Sequence, residues 1–273
     1  MAKVKNVGLA TWDAELAKQA EIAAGMEASA GGGNFFSLRG GILQWQDAPL
    51  KDNQMGVIII DHVLENVFYA DKYDPETPQS PSCFAFARDE RTMAPHKLVV
   101  EAGTAVHETC VGCPNNEWGS ADTGRGKACR NTRRLALISA GTFDAAGRFV
   151  VNDDPEHWKS AVIGYMKLPV MSVKGFATFV KQVAVALKRP PHGVITKVRV
   201  VPDPKSQFRV LFEAISPVPN TLMAAIMARH EESSATIDFP YQRADDDAPT
   251  GAAKTDRRPP ADARRSPKRA RKY

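Results

Sequence analysis

The residues in this chain best suited to chemistry are its four cysteines. Cys110 and Cys113 form a Cys-x2-Cys pair, Cys129 follows after fifteen intervening residues, and Cys83 precedes the pair by twenty-six. A Cys-x2-Cys knuckle bends the backbone so that both thiolates reach one tetrahedral ion at about 2.3 Å, and ligands returning from elsewhere complete the shell. Cys110, Cys113 and Cys129 are therefore expected to hold a structural zinc ion (Zn2+). Cys83 or His107 supplies the fourth ligand, and we take Cys83. Four thiolates close the site, so the metal would fold a long loop, spanning 83–129, and would offer no open position for catalysis. Buried inert thiols are the plainer reading of any one cysteine. Disulfides are disfavoured, because the N-terminal stretch carries no apolar core of an export signal and the expected setting is reducing.

Between the last two cysteines lies a polar, glycine-rich stretch headed by Trp118, with Arg125 and Lys127 inside it and Arg130, Arg133 and Arg134 just beyond. Gly119 and Gly124 have the Gly-x4-Gly spacing of a phosphate loop. The next residue is Arg125 where that loop needs Lys and then Ser or Thr, and no apolar strand leads in, so an NTPase is excluded. Basic groups beside an aromatic platform suit a phosphate backbone carrying unstacked bases. Spacing leaves two readings of Trp118 open: a stacking platform, or a lid packed over the metal.

The run 113–120 (Cys-Pro-Asn-Asn-Glu-Trp-Gly-Ser), Gly126 to Cys129, Arg133 to Ala136, and the upstream 78–83 (Pro-Gln-Ser-Pro-Ser-Cys) resemble a group of bacteriophage-encoded proteins. The likeness covers residues 35–214, including the Leu-Pro-Val-Met-Ser segment 168–172. It implies a single-stranded DNA-binding protein of DNA replication or recombination, acting without sequence specificity and without enzymatic activity. The partners it implies are single-stranded DNA and phage replication proteins, in the host cytoplasm. The fold it implies is an OB-like barrel whose groove is lined by early aromatics, here Phe35, Phe36, Trp45, Phe68 and Tyr69, with Arg39 beside them and the basic zinc loop opposite. Such proteins commonly end in an acidic segment, whereas this chain ends in a basic one.

The elements that must position these residues read as follows. Residues 11–29 have helical spacing after Thr11 and stop at three glycines. Extended runs follow at 35–45, 56–61 and 64–70, then a proline-rich loop at 73–81. Strands are expected at 97–101, 135–139 and 161–167. Ser172 is placed as the cap of an amphipathic helix with Val173, Phe176, Val180, Val183 and Leu187 on one face, ended by Pro190 and Pro191. Runs at 193–201 and 207–214 form a hairpin through Asp203, Pro204, Lys205 and Ser206, and a short helix at 220–232 closes the folded part. The expected class is a β-rich α+β fold, an OB-like, partly closed antiparallel barrel with a zinc-binding loop and peripheral helices. The expected organisation is a helix and linker at 1–34, a DNA-binding domain at 35–242, and a disordered basic tail at 243–273.

Charge supports that division. The tail holds ten Lys and Arg against five Asp, which is the whole net charge of +5, while the preceding 242 residues are balanced. No run approaches the roughly 20 apolar residues of a membrane span, and the 43% hydrophobic content is ample for a core. Two other function classes stay in play. A zinc-containing nuclease could draw on Asp61, His62, Glu65, His96, His107 and Glu108, and a virion or nucleoid protein could hold duplex DNA with the tail.

Overall fold

The computed structural model describes residues 34–70, 80–122 and 124–241, together with Leu16 and Gln19, both helical. The chain divides into two units, Met1–Tyr241 and Gln242–Tyr273. The remainder of the expected N-terminal helix and linker, most of the proline loop and the basic tail lie outside the described residues.

The first described elements are three short strands, β1 (Phe36–Ser37), β2 (Gln44–Trp45) and β3 (Ala48–Pro49), which form an antiparallel meander of their own. The extended run expected at 35–45 carries Gly40-Gly41, a pair that predicts a bulge or tight turn. It is broken by a tight helical turn, Arg39–Gly41, in which Gly40 and Gly41 have φ of 61° and 75°, a left-handed conformation that glycine adopts without steric cost.

The two runs expected at 56–61 and 64–70 are a single strand, β4 (Gln54–Phe68). Nothing between them breaks a strand, and a register shift at Ile59/Asp61 absorbs the polar pair Asp61 and His62. After β5 (Cys83–Ala87) comes a correction: Lys97–Glu101 is a helix, α1, not a strand. His96 begins it, its Nδ1 accepting from Leu98 N–H at 3.3 Å. That local cap decides in favour of helix for a short apolar run whose length cannot discriminate.

The chain continues through β6 (Arg130–Phe143), β7 (Phe149–Val151), α2 (Pro155–Ser160), β8 (Gly164–Leu168), α3 (Val170–Leu187), β9 (Val194–Asp203), β10 (Gln207–Pro217) and α4 (Met223–Thr236). The β9–β10 hairpin turns where expected, with Asp203 Oδ2 accepting from Lys205 N–H, Ser206 N–H and Ser206 Oγ–H. Ser172 does not cap α3. Its buried hydroxyl oxygen accepts from Val210 N–H at 2.9 Å, and so ties the helix to β10.

The fold is α+β with antiparallel strand pairing. Seven strands form one sheet in the order β10-β9-β4-β6-β7, with β5 also paired to β4 and β8 to β6. Along the central strands alternate residues enter two separate cores. Val57, Ile59, Leu135 and Leu137 pack with Phe176, Phe179 and Val183 of α3, while Ile58, Ile60, Ala136 and Ile138 pack with Trp158 of α2 and Ile226 of α4. A strand covered on both faces reads as a continuous apolar run, as at 57–60. No closed barrel forms among the described residues. The path of paired strands runs from β10 to β7, and helices pack on both faces of the sheet. Among the described helices only α3 is long and apolar enough to cross a membrane, and it lies against the sheet with Phe176, Phe179 and Val183 in the core.

Candidate metal centre and nucleic-acid surface

The cysteine loop is pinned to the central strands by asparagines. Cys83 opens β5 opposite Phe68. Cys110 N–H donates to Met93 O at 2.9 Å, a helical turn (Pro114–Asn116) follows Cys113, and Cys129 N–H donates to Asn115 O at 2.7 Å just before β6 begins. Buried Asn116 donates through Nδ2 to Cys110 O at 2.8 Å, and its Oδ1 accepts from Asn131 Nδ2 at 2.9 Å and from Lys127 Nζ at 3.3 Å. Asn131 Nδ2 also donates to Asn66 Oδ1, its cross-strand partner on β4, at 2.7 Å. Sequence reasoning singled out none of these three asparagines. The Asn-Asn pair directly after Cys113 and Pro114 was the available signal.

All four cysteines, with His107 and Asn116, line one small cavity of about 20 Å³, room for a single water-sized occupant. They are free thiols. Burial pushes Cys110 up to about 11, with Cys83 and Cys113 adding to the rise. Cys129 is pushed up to about 12 by burial and then by Cys110, Cys83 and Cys113. Neighbouring thiolates thus oppose ionisation of Cys110 and Cys129, which a divalent cation among them would reverse. Cys83 takes part in that mutual coupling. His107 lines the same cavity, with its Nδ1 3.0 Å from Thr109 O and 3.3 Å from Thr109 N. Four soft sulfur donors thus line one cavity, while no group of three His, Cys, Asp or Glu side chains placed to hold a metal ion is found among the described residues.

The residues expected to touch nucleic acid separate into three places. Trp118 is 79% exposed, and Lys127 Nζ lies 5.6 Å from its ring centroid. It does not line the cysteine cavity, which removes the reading of Trp118 as a lid over the metal. Arg125 is exposed on the same loop. On β6 the basic residues alternate. Arg130 lies 5.6 Å over the ring of Tyr69, whereas half-buried Arg133 pairs across to Leu64, which packs in the small core beside Cys110.

Arg134 is a correction. It is 1% exposed, ion-paired at 3.2 Å with Glu65, itself 0% exposed, and held between the rings of Phe86 and Phe239 at 4.2 and 4.3 Å. Its Nη1 donates to Ile237 O and Phe239 O. Such a group is sequestered from a ligand. Phe36 and Trp45 pack against each other with centroids 4.5 Å apart and line a different cavity, while Arg39 is exposed in the same meander.

Of the acids and histidines available to a nuclease, Asp61, Glu65 and His96 have partners of their own. Asp61 makes a two-pronged ion pair with Arg88 at 2.7 and 2.6 Å, Glu65 accepts from Tyr241 Oη–H as well as Arg134, and His96 caps α1. His192 and His230 stack with centroids 4.5 Å apart. Burial holds His62 and His192 below the usual 6.5, reinforced at His62 by Arg88, Arg133 and His192 and at His192 by His230, with Asp61 opposing in both cases. Below pH 6.5 the unfolded chain then binds protons that the folded one resists, so stability falls as pH drops from 6.5 toward the lower folded values. We expect the thermal midpoint to decline across that window, and His192→Gln to flatten the slope. Midpoints that stay level from pH 7.5 to 5.5 would count against it.

No protein-family model, curated protein or solved structure matches this chain.

Proposed function

We propose that this protein is a non-enzymatic single-stranded DNA-binding protein, of the phage replication and recombination type, whose basic loop is folded by one structural zinc. The observation that carries the reading is Trp118, a large aromatic 79% exposed beside Lys127 on a loop whose four cysteines line one cavity. An exposed indole is costly to leave in water and suits a surface on which bases stack. Arg125, Lys127 and Arg130 supply phosphate contacts around it, and the ten cations of the tail add counterion release. Arg133 stays at the margin of this surface, and Arg134 leaves it. Phage replication proteins are the protein partners this reading entails, in the host cytoplasm.

The test is strand selectivity. Labelled single-stranded oligonucleotides should bind more tightly than the duplex of the same sequence at two salt concentrations, because a duplex hides the base faces. Trp118→Ala should cost roughly 1–3 kcal/mol of single-strand affinity with the thermal midpoint and zinc content unchanged. Equal affinity for duplex and single strand would instead favour the duplex-holding reading.

A further inference from the structure

A second cavity, well apart in composition from the cysteine site, opens on the α3 face of the sheet with a volume of about 640 Å³, within the range of small-molecule pockets. Its floor is Val57 and Leu137, its aromatic walls are Phe36, Trp45 and Phe143, and Ser139 opens into it. Ser139 is anomalous. From Arg134 to Ala140 every other residue of β6 is buried, yet this polar residue in the middle of a central strand is exposed. Glycines set how closely the cavity walls approach the sheet. Gly164 has none of the side chain that would strike the Phe36 and Trp45 rings at 2.5 and 2.8 Å, so those rings lie directly on the sheet. Gly56 and Gly141 sit opposite each other at the cleft, where a side chain on Gly56 would strike the Phe149 ring and one on Gly141 the Val150 carbonyl. His157 secures one wall by donating from Nε2 to Ser139 O at 2.8 Å.

The chemistry of the lining narrows the ligand. Lys51 and Asp52 at the rim offset one another, so the cleft has no net charge to attract a free anion. An aliphatic chain would cover the Ser139 hydroxyl without pairing it, at the cost of an unmade hydrogen bond. A flat, neutral heteroaromatic ring satisfies both demands: its faces stack on Phe36, Trp45 or Phe143, and its edge offers donors and acceptors to Ser139 and the polar rim. We propose that this cleft is a nucleobase pocket. The choice of a nucleobase among flat heterocycles rests on the single-strand reading above, and the base could come from a bound strand or from a free nucleoside.

The full-length protein is titrated with adenosine and with thymidine by saturation-transfer NMR, and with a labelled oligothymidine by fluorescence anisotropy. The same titrations are run on Ser139→Phe and Val162→Phe, which fill the cleft from exposed positions and should leave the thermal midpoint in place. Nucleoside binding should be present in the parent and weaker by roughly tenfold or more in both variants, as loss of a base stack implies. A parallel loss of oligomer affinity identifies the base as one turned out of a strand. Unchanged oligomer affinity beside lost nucleoside binding identifies a free nucleoside. Absence of nucleoside binding at millimolar concentration, or binding unaltered in both variants, overturns the pocket. Nucleoside binding without any oligomer binding keeps the pocket and overturns the single-strand function.

Discussion

Removing the metal is expected to lower the thermal midpoint by about 8–16 °C. A ligand present at a thousand times its dissociation constant stabilises the folded state by about 4 kcal/mol, and each kcal/mol is worth about 2–4 °C in a domain of this size. The four thiols share one cavity, and burial and mutual repulsion raise Cys110 and Cys129 to about 11 and 12, so the apo loop has no charge to hold it closed. Elemental analysis of protein prepared under reducing conditions should find about one zinc per chain. Cys113→Ser should lose it, loosening the loop that Asn116 and Asn131 moor to β6, whereas His107→Ala should retain it. A fully folded preparation without metal, grown with zinc available, would remove the metal from the account.

Arg134→Ala should destabilise the fold by about 3–5 kcal/mol, because it strips the partner from a carboxylate with no access to water. Glu65 would keep Tyr241 as a donor, but Tyr241 is a poor source of compensating charge, its own proton held more tightly by burial and by that same carboxylate. Arg134→Lys should recover little. An ammonium cannot lie flat between Phe86 and Phe239 while donating to Ile237 O, Phe239 O and Glu65 at once. Replacing both members, as Glu65→Gln with Arg134→Met, should restore much of the loss. The measurement is chemical denaturation of the parent and all three variants alongside single-strand affinity per folded molecule. If Arg134→Ala keeps its stability and loses DNA affinity, the residue belongs on the binding surface after all.

Those two expectations differ in how far the sequence alone could reach. The cysteine grouping is local in its main part, since Cys110, Cys113 and Cys129 lie on one loop whose length and knuckle are legible as spacing. The α3 face and the β9–β10 turn were legible for the same reason: a period of 3.6, and an Asp able to accept from the backbone two and three residues on, are properties of neighbouring residues. The helix at Lys97–Glu101 was misread because five residues are too few to display a period. Ser172 was misread because its partner, Val210, is distant in the chain.

The amino-acid sequence by itself therefore determined the grouping of the cysteines, the α+β class, the principal hairpin and the confinement of net charge to the tail. Only the tertiary structure decided which side of each strand is covered, and by what. Arg130, Arg133 and Arg134 read as one basic cluster, yet strand alternation sends Arg133 to the side opposite the other two, and the rings that enclose Arg134 come from Phe86 and Phe239, far apart in the chain. The layering of the sheet was settled in the same way. An apolar run on β4 shows that both faces are buried, but whether a curled sheet or two helical layers bury them depends on where α2, α3 and α4 return, and that is a balance of long-range packing which local pattern does not encode.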